Sequence, residues 1–98
     1  MKEITAKEVE TLLAEGQALN VIDVREVEEV EQGKIPVAVN IPLGLLEFRL
    51  NELDKEKEYI IVCRSGARSG RATQFLEYQG FNVQNMTGGM LAWEGEVE

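Results

Sequence analysis

Apolar residues along this chain change their spacing several times, and each change marks an element. In "ITAKEVETLLAEG" (4–16), Val9, Leu12 and Leu13 recur at helical intervals, Thr5 and Glu8 have the spacing of a capping box, and Gly16 suits a stop. The pattern predicts a helix. "LNVIDV" (19–24) is a short, β-branched apolar run and predicts a buried strand. "REVEEVEQG" (25–33) returns to helical spacing at Val27 and Val30, with its acidic residues expected to face water. "AVNI" (38–41) is another strand candidate, and "LGLLEFRLNEL" (43–53) another amphipathic helix. "EYIIVC" (58–63) is the most convincing strand pattern in the chain. Helical spacing resumes in "SGRATQFLEYQG" (69–80), packed through Ala72, Phe75 and Leu76 and ended by Gly80. "FNVQNM" (81–86) predicts a last strand and "GGMLAW" (88–93) a short closing helix.

Strands that alternate with helices define an α/β protein with a largely parallel sheet. Parallel strands are buried on both faces, which explains why "VIDV" and "YIIV" are continuous apolar runs rather than alternating ones. No repeat, low-complexity tract or linker interrupts the pattern. A length of 98 residues suits one domain, 1–98, with one core.

Composition narrows the chemistry mainly by exclusion. A net charge of −8 argues against nucleic acid or an anionic membrane as partner, because both demand a basic surface. One cysteine cannot form an internal disulfide, a two-cysteine redox motif or a cysteine zinc cluster. The absence of histidine removes a Ser-His-Asp triad, a Cys-His pair and a histidine metal site, so neither metal nor cofactor is expected. "MKEITAKEVE" has no apolar core or cleavage signal, and the expected location is the cytoplasm.

The single cysteine, Cys63, stands where the strongest strand ends. Ligands of such sheets bind beyond the carboxyl ends of the strands. The next helix is expected to begin about at Ser69, leaving "RSGAR", Arg64, Ser65, Gly66, Ala67 and Arg68, to curl between them. Successive N–H groups of a curled loop form an anion-binding nest, and a helix N-terminus adds unpaired N–H groups and a positive dipole end. Arg64, Arg68 and Arg71 are three of only ten basic residues, gathered within eight positions of the cysteine. Such surroundings lower a thiol from ~8.5 into a range of ~3.5–7.5 and so favour the nucleophilic thiolate.

A thiolate in a cradle of N–H groups serves phosphate or sulfur chemistry. The tyrosine-phosphatase pattern places five residues between Cys and Arg, a ring wide enough for a tetrahedral dianion. Here four residues separate Cys63 from Arg68, and no histidine precedes the cysteine. The smaller ring suits one extra anionic sulfur better than four phosphate oxygens.

With "VIDVRE" (21–26), "GKIPVAVNIPL" (33–43), "YIIVCRSGARS" (59–69) and "GFNVQNMTGGMLAW" (80–93) in this order, the chain resembles the rhodanese-like domain family over nearly its full length. The resemblance implies a three-layer α/β fold, with a mostly parallel sheet of about five strands flanked by helices. It implies a sulfurtransferase that holds a persulfide on Cys63, cradled by the N–H groups of Arg64 to Arg68, with no cofactor; the alternatives are a phosphatase or arsenate reductase of the same fold, or a rhodanese-like module that only binds a partner. The implied partners are a thiosulfate-like donor, a cyanide or thiol acceptor, or a protein persulfide. Arg68 is expected to brace the loop or pair with donor oxygens, and Arg64 to lie nearer the mouth. Ser69 follows the loop, and Asp23 with Arg25 is expected to form a charge-assisted pair supporting it. Gly88, Gly89 and Trp93 match positions at the rim, where packing is the expected role of Trp93. The family's usual "GHIPGA" reads "GKIPVA" here: Lys34 is expected at the surface, and Val37 disfavours the type II turn that glycine would permit.

Overall fold

The computed structural model describes residues 1–98. Its strands are β1 (Lys2–Thr5), β2 (Asn20–Asp23), β3 (Val39–Asn40), β4 (Glu58–Val62) and β5 (Asn82–Thr87). The α-helices are α1 (Ala6–Ala14), α2 (Val27–Val30) and α3 (Ala67–Tyr78), with 3-10 turns at Leu43–Phe48, Leu50–Glu52 and Gly89–Ala92. All strand pairs are parallel, in the order β1-β5-β4-β2-β3. The α/β class and the parallel sheet expected from the sequence are therefore present.

Alternation along β4 shows how the sheet builds two apolar layers. Tyr59, Ile61 and Cys63 join Ile22, Val24, Ala72 and Leu76 on the side of α3. Ile60 and Val62 join Val21, Ile4, Val9 and Met86 on the side of α1. Ile61 and Val62 are both fully buried, so the continuous apolar run reflects a strand covered on each face. No helix is long and apolar enough to cross a membrane.

Three elements differ from the sequence expectation. β1 is not expected from the sequence and overlaps the start of the stretch 4–16 assigned to the first helix, because only Ile4 of its four residues is buried and the strand lies at the sheet edge. The predicted helix over 43–53 is instead two 3-10 turns. Leu45 N–H donates to the Pro42 carbonyl at 2.8 Å and Arg49 N–H to that of Leu46 at 3.1 Å. Leu43, Leu46, Leu50 and Leu53 still reach the core from this tighter winding, which explains the amphipathic pattern. α3 begins at Ala67, two residues before Ser69, because Gly66 takes φ +104° as its N-cap. Arg68 and Ser69 consequently lie in the first helical turn.

Candidate active site

Strand β4 delivers Cys63 to the carboxyl edge of the sheet, and the chain turns at once into α3. The thiol is fully buried. Gly66 N–H donates to Cys63 Sγ at 3.0 Å, and the Ser69 hydroxyl lies 3.3 Å from the same sulfur. The loop's carbonyls are satisfied from the other direction. Met90 N–H donates to the Cys63 carbonyl at 2.9 Å and Leu91 N–H to the Arg64 carbonyl at 3.0 Å. With those carbonyls held outside, the loop's own N–H groups are left to face the sulfur.

This approach explains the paired glycines at the rim. Gly88 has φ +80° and Gly89 φ +56°, both left-handed. A Cβ on Gly89 would fall 2.7 Å from the Cys63 carbonyl oxygen and nearer still to that of Arg64. Only glycine lets the Gly89–Ala92 turn lie against the loop.

Burial pushes the Cys63 thiol up, and the donors around it push it down. The Ser69 hydroxyl and the backbone N–H groups of Ser69, Gly66 and Ser65 together prevail, leaving the pKa below its ordinary value. The thiolate is thus favoured by donors aimed at the sulfur.

The arginines divide into different roles. Arg64 is exposed and forms no ion pair, and Arg71 is exposed on α3. Arg68 grips Glu29 of α2 through its two terminal guanidinium nitrogens, at 2.6 and 2.8 Å. That pair holds the Glu29 carboxyl well down, at about 2, through the hydrogen bonds from Arg68 against the opposing effect of burial. Arg25 forks onto Asp23, with NH2 to Oδ2 at 2.8 Å, and both side chains are buried. The same guanidinium donates to the Glu29 carbonyl at 3.3 Å and the Gly33 carbonyl at 2.8 Å. A continuous chain of charge-assisted contacts therefore runs from the end of β2 through α2 to the first turn of α3.

Of the residues singled out in the sequence, Cys63, Gly66 and Ser69 converge on one point. Ser65 lies exposed on the loop beside Arg64, and Ala67 is exposed as the first residue of α3. Arg68 and the Asp23–Arg25 pair stand behind them. Two participants were not foreseen. Glu29 was read with the water-facing acidic residues, yet it partners Arg68. Asn85 is buried beside Ser69, and nothing in β5, where four of the six residues are polar, sets it apart in the sequence. Lys34 is half-buried rather than a free surface lysine. Its Nζ donates to the Pro36 carbonyl at 2.9 Å and the Ala38 carbonyl at 3.3 Å, and so caps the turn that follows. That turn, Ile35 to Ala38, closes with a 2.9 Å hydrogen bond and leaves Val37 at negative φ, as its side chain demands. Trp93 packs partly buried against the core on the α1 side and donates Nε1–H to the Glu96 carbonyl.

Comparison with known proteins agrees with this geometry. The rhodanese-like domain family matches residues 5–96. The Bacillus subtilis protein YtwF, provisionally named a sulfurtransferase, is 45 % identical over 98 residues, covering 100 % of this chain and 95 % of that protein. A sulfurtransferase of Allochromatium vinosum is 37 % identical over 94 residues, covering 95 % of this chain and 88 % of its own. The crystal structure of a rhodanese-like domain protein from Staphylococcus aureus superposes with a TM-score of 0.94 at 39 % identity, covering 100 % of this chain and 97 % of that one. The chain belongs to the rhodanese-like domain family. Sulfur transfer is the activity for which its named relatives are called.

Proposed function

We propose that the protein moves sulfane sulfur from thiosulfate or a similar donor to a thiophilic acceptor through a persulfide on Cys63. One observation supports this above the rest. The sulfur of Cys63 lies in the turn that joins β4 to α3, with Gly66 N–H 3.0 Å away and α3 starting at Ala67. In the first step the Cys63 thiolate attacks the outer sulfur of thiosulfate. The new S–S bond forms as the old one breaks, and sulfite leaves with the bonding electron pair. The persulfide anion left on Cys63 is stabilised by the N–H groups of residues 64 to 68. In the second step cyanide or a thiolate attacks the outer sulfur, which leaves with it as thiocyanate or a new persulfide, and the Cys63 thiolate is restored. The covalent intermediate divides one transfer into two easier ones.

Sulfite needs no proton in order to leave, so a site without a histidine acid suffices. Arg64, exposed and unpaired at the mouth, attracts the donor dianion, and Arg68 braces the loop through Glu29. A protein persulfide presents the same terminal sulfur as a small donor and uses the same entrance. A lone thiol without a disulfide partner suits the reducing cytoplasm. Incubation with thiosulfate followed by intact mass measurement tests the reading: the protein gains one sulfur atom, and Cys63→Ser gains none. An unloaded protein that hydrolyses an aryl phosphate would instead identify a phosphatase.

A further inference from the structure

The Gly66 N–H and the Ser69 hydroxyl, two of the donors around the Cys63 sulfur, belong to residues held from behind by the same side chain. Asn85 on β5 is 4 % exposed, a polar residue within a strand of the sheet core. Its Nδ2 donates to the Gly66 carbonyl at 3.2 Å, and its Oδ1 accepts from the Ser69 hydroxyl at 2.5 Å. The amide has only one workable orientation. The Gly66 carbonyl can only accept, and it already takes the Gly70 N–H at 3.0 Å, so the NH2 must face it and Oδ1 must face Ser69.

Ser69 carries one hydroxyl proton and has two acceptors within reach, Asn85 Oδ1 and Cys63 Sγ. It serves one at a time. We infer that Asn85 is a positioning residue that shares the single Ser69 proton with Cys63, so that ionisation of the thiol switches this hydrogen bond from the asparagine to the sulfur. While Cys63 is a thiol, its S–H points at Ser69 Oγ and Ser69 donates to Asn85. When the thiol loses its proton to solvent, the Ser69 hydroxyl rotates and donates to the thiolate. Asn85 Oδ1 is then left without that donor, while its Nδ2 keeps Gly66, and hence the Gly66 N–H, aimed at the sulfur. Asn85 therefore opposes ionisation through Ser69 and supports the cradle through Gly66.

The charged groups at this end of the sheet come from several elements. Asp23 and Arg25 at the end of β2 are paired, and so are Glu29 of α2 and Arg68 of α3. Arg64 stands on the loop, and β5 and the Gly89–Ala92 turn contribute no charge. Within the hydrogen-bonded chain of Cys63, Ser69, Asn85 and Gly66, Cys63 is the one ionisable group.

The inference rests on Cys63 as the reactive thiol, but its test uses no sulfur donor, so failure of sulfur loading and failure of this switch are distinguishable. In protein with isotope-labelled asparagine, the Asn85 side-chain carbonyl and amide signals are followed by NMR as pH rises. Cys63 alkylation is measured in parallel. The Asn85 carbonyl signal should move with the midpoint of Cys63 alkylation and stay flat in Cys63→Ala. The movement should collapse in Ser69→Ala and return in Ser69→Thr, which restores a hydroxyl. A signal that does not titrate with Cys63 overturns the inference, and so does one that titrates equally in Ser69→Ala. A wild-type signal that does not follow Cys63 is decisive against the inference even where a variant folds poorly.

Discussion

At Cys63 burial works against the thiolate while the Ser69 hydroxyl and three backbone N–H groups work for it. The balance depends on donors within a few residues of the cysteine, which is why a contiguous stretch of sequence disclosed them. Ser69→Ala removes the one side-chain donor and should move the alkylation midpoint of Cys63 upward, toward the ~8.5 of a free cysteine. The wild-type midpoint should lie clearly below that value, read by alkylation rate against pH. Asn85 and Glu29 escaped sequence reading for one shared reason. Each acts on a residue distant along the chain, Asn85 on Ser69 and Glu29 on Arg68, and that pairing exists only once the sheet has formed.

Among the elements, the contact of the Gly89–Ala92 turn with the cysteine loop carries a distinct consequence. Gly89→Ala drives a Cβ into the loop carbonyls, at a cost of about 1–3 kcal/mol typical of overpacking. Urea unfolding measures that loss, and sulfur loading should fall with it because the cradle is displaced. The Glu29–Arg68 pair ties α2 to α3. Glu29 has its carboxyl lowered from 4.5 to about 2, so the folded state binds fewer protons than the unfolded state between those values. Its stabilisation is complete above about pH 4.5 and is lost as pH falls toward about 2. At partial exposure the pair contributes about 1–2 kcal/mol, between an exposed ion pair and a buried charge-assisted bond. Glu29→Gln should therefore be less stable than wild type at neutral pH and nearly equal to it in strong acid, by urea unfolding at each pH. The elements themselves were legible wherever burial is two-sided, as in β2 and β4. β1 and the 3-10 turns over 43–52 were not: one apolar residue cannot announce an edge strand, and leucines spaced by three and four fit either kind of helix.

For the molecule as a whole, a charge of −8 opposes the approach of any anionic donor. We propose that Arg64, exposed on the loop and without the acidic partner that Arg68 has, offsets that field. Arg64→Ala should slow loading by thiosulfate several-fold and leave alkylation by neutral iodoacetamide nearly unchanged. Equal slowing of both would mean that the arginine shapes the loop rather than attracting the anion. The parallel sheet and the cysteine loop were readable from the chain because both are written in local runs, whereas the brace behind the loop is assembled from three separate elements. Storage of sulfur on Cys63 is tested most directly by sulfite release from thiosulfate with no acceptor present. A stored persulfide gives a rapid burst of one equivalent of sulfite per chain and then none until cyanide is added. Continuous release without an acceptor, or no burst in a protein whose Cys63 still alkylates, would contradict a stored persulfide.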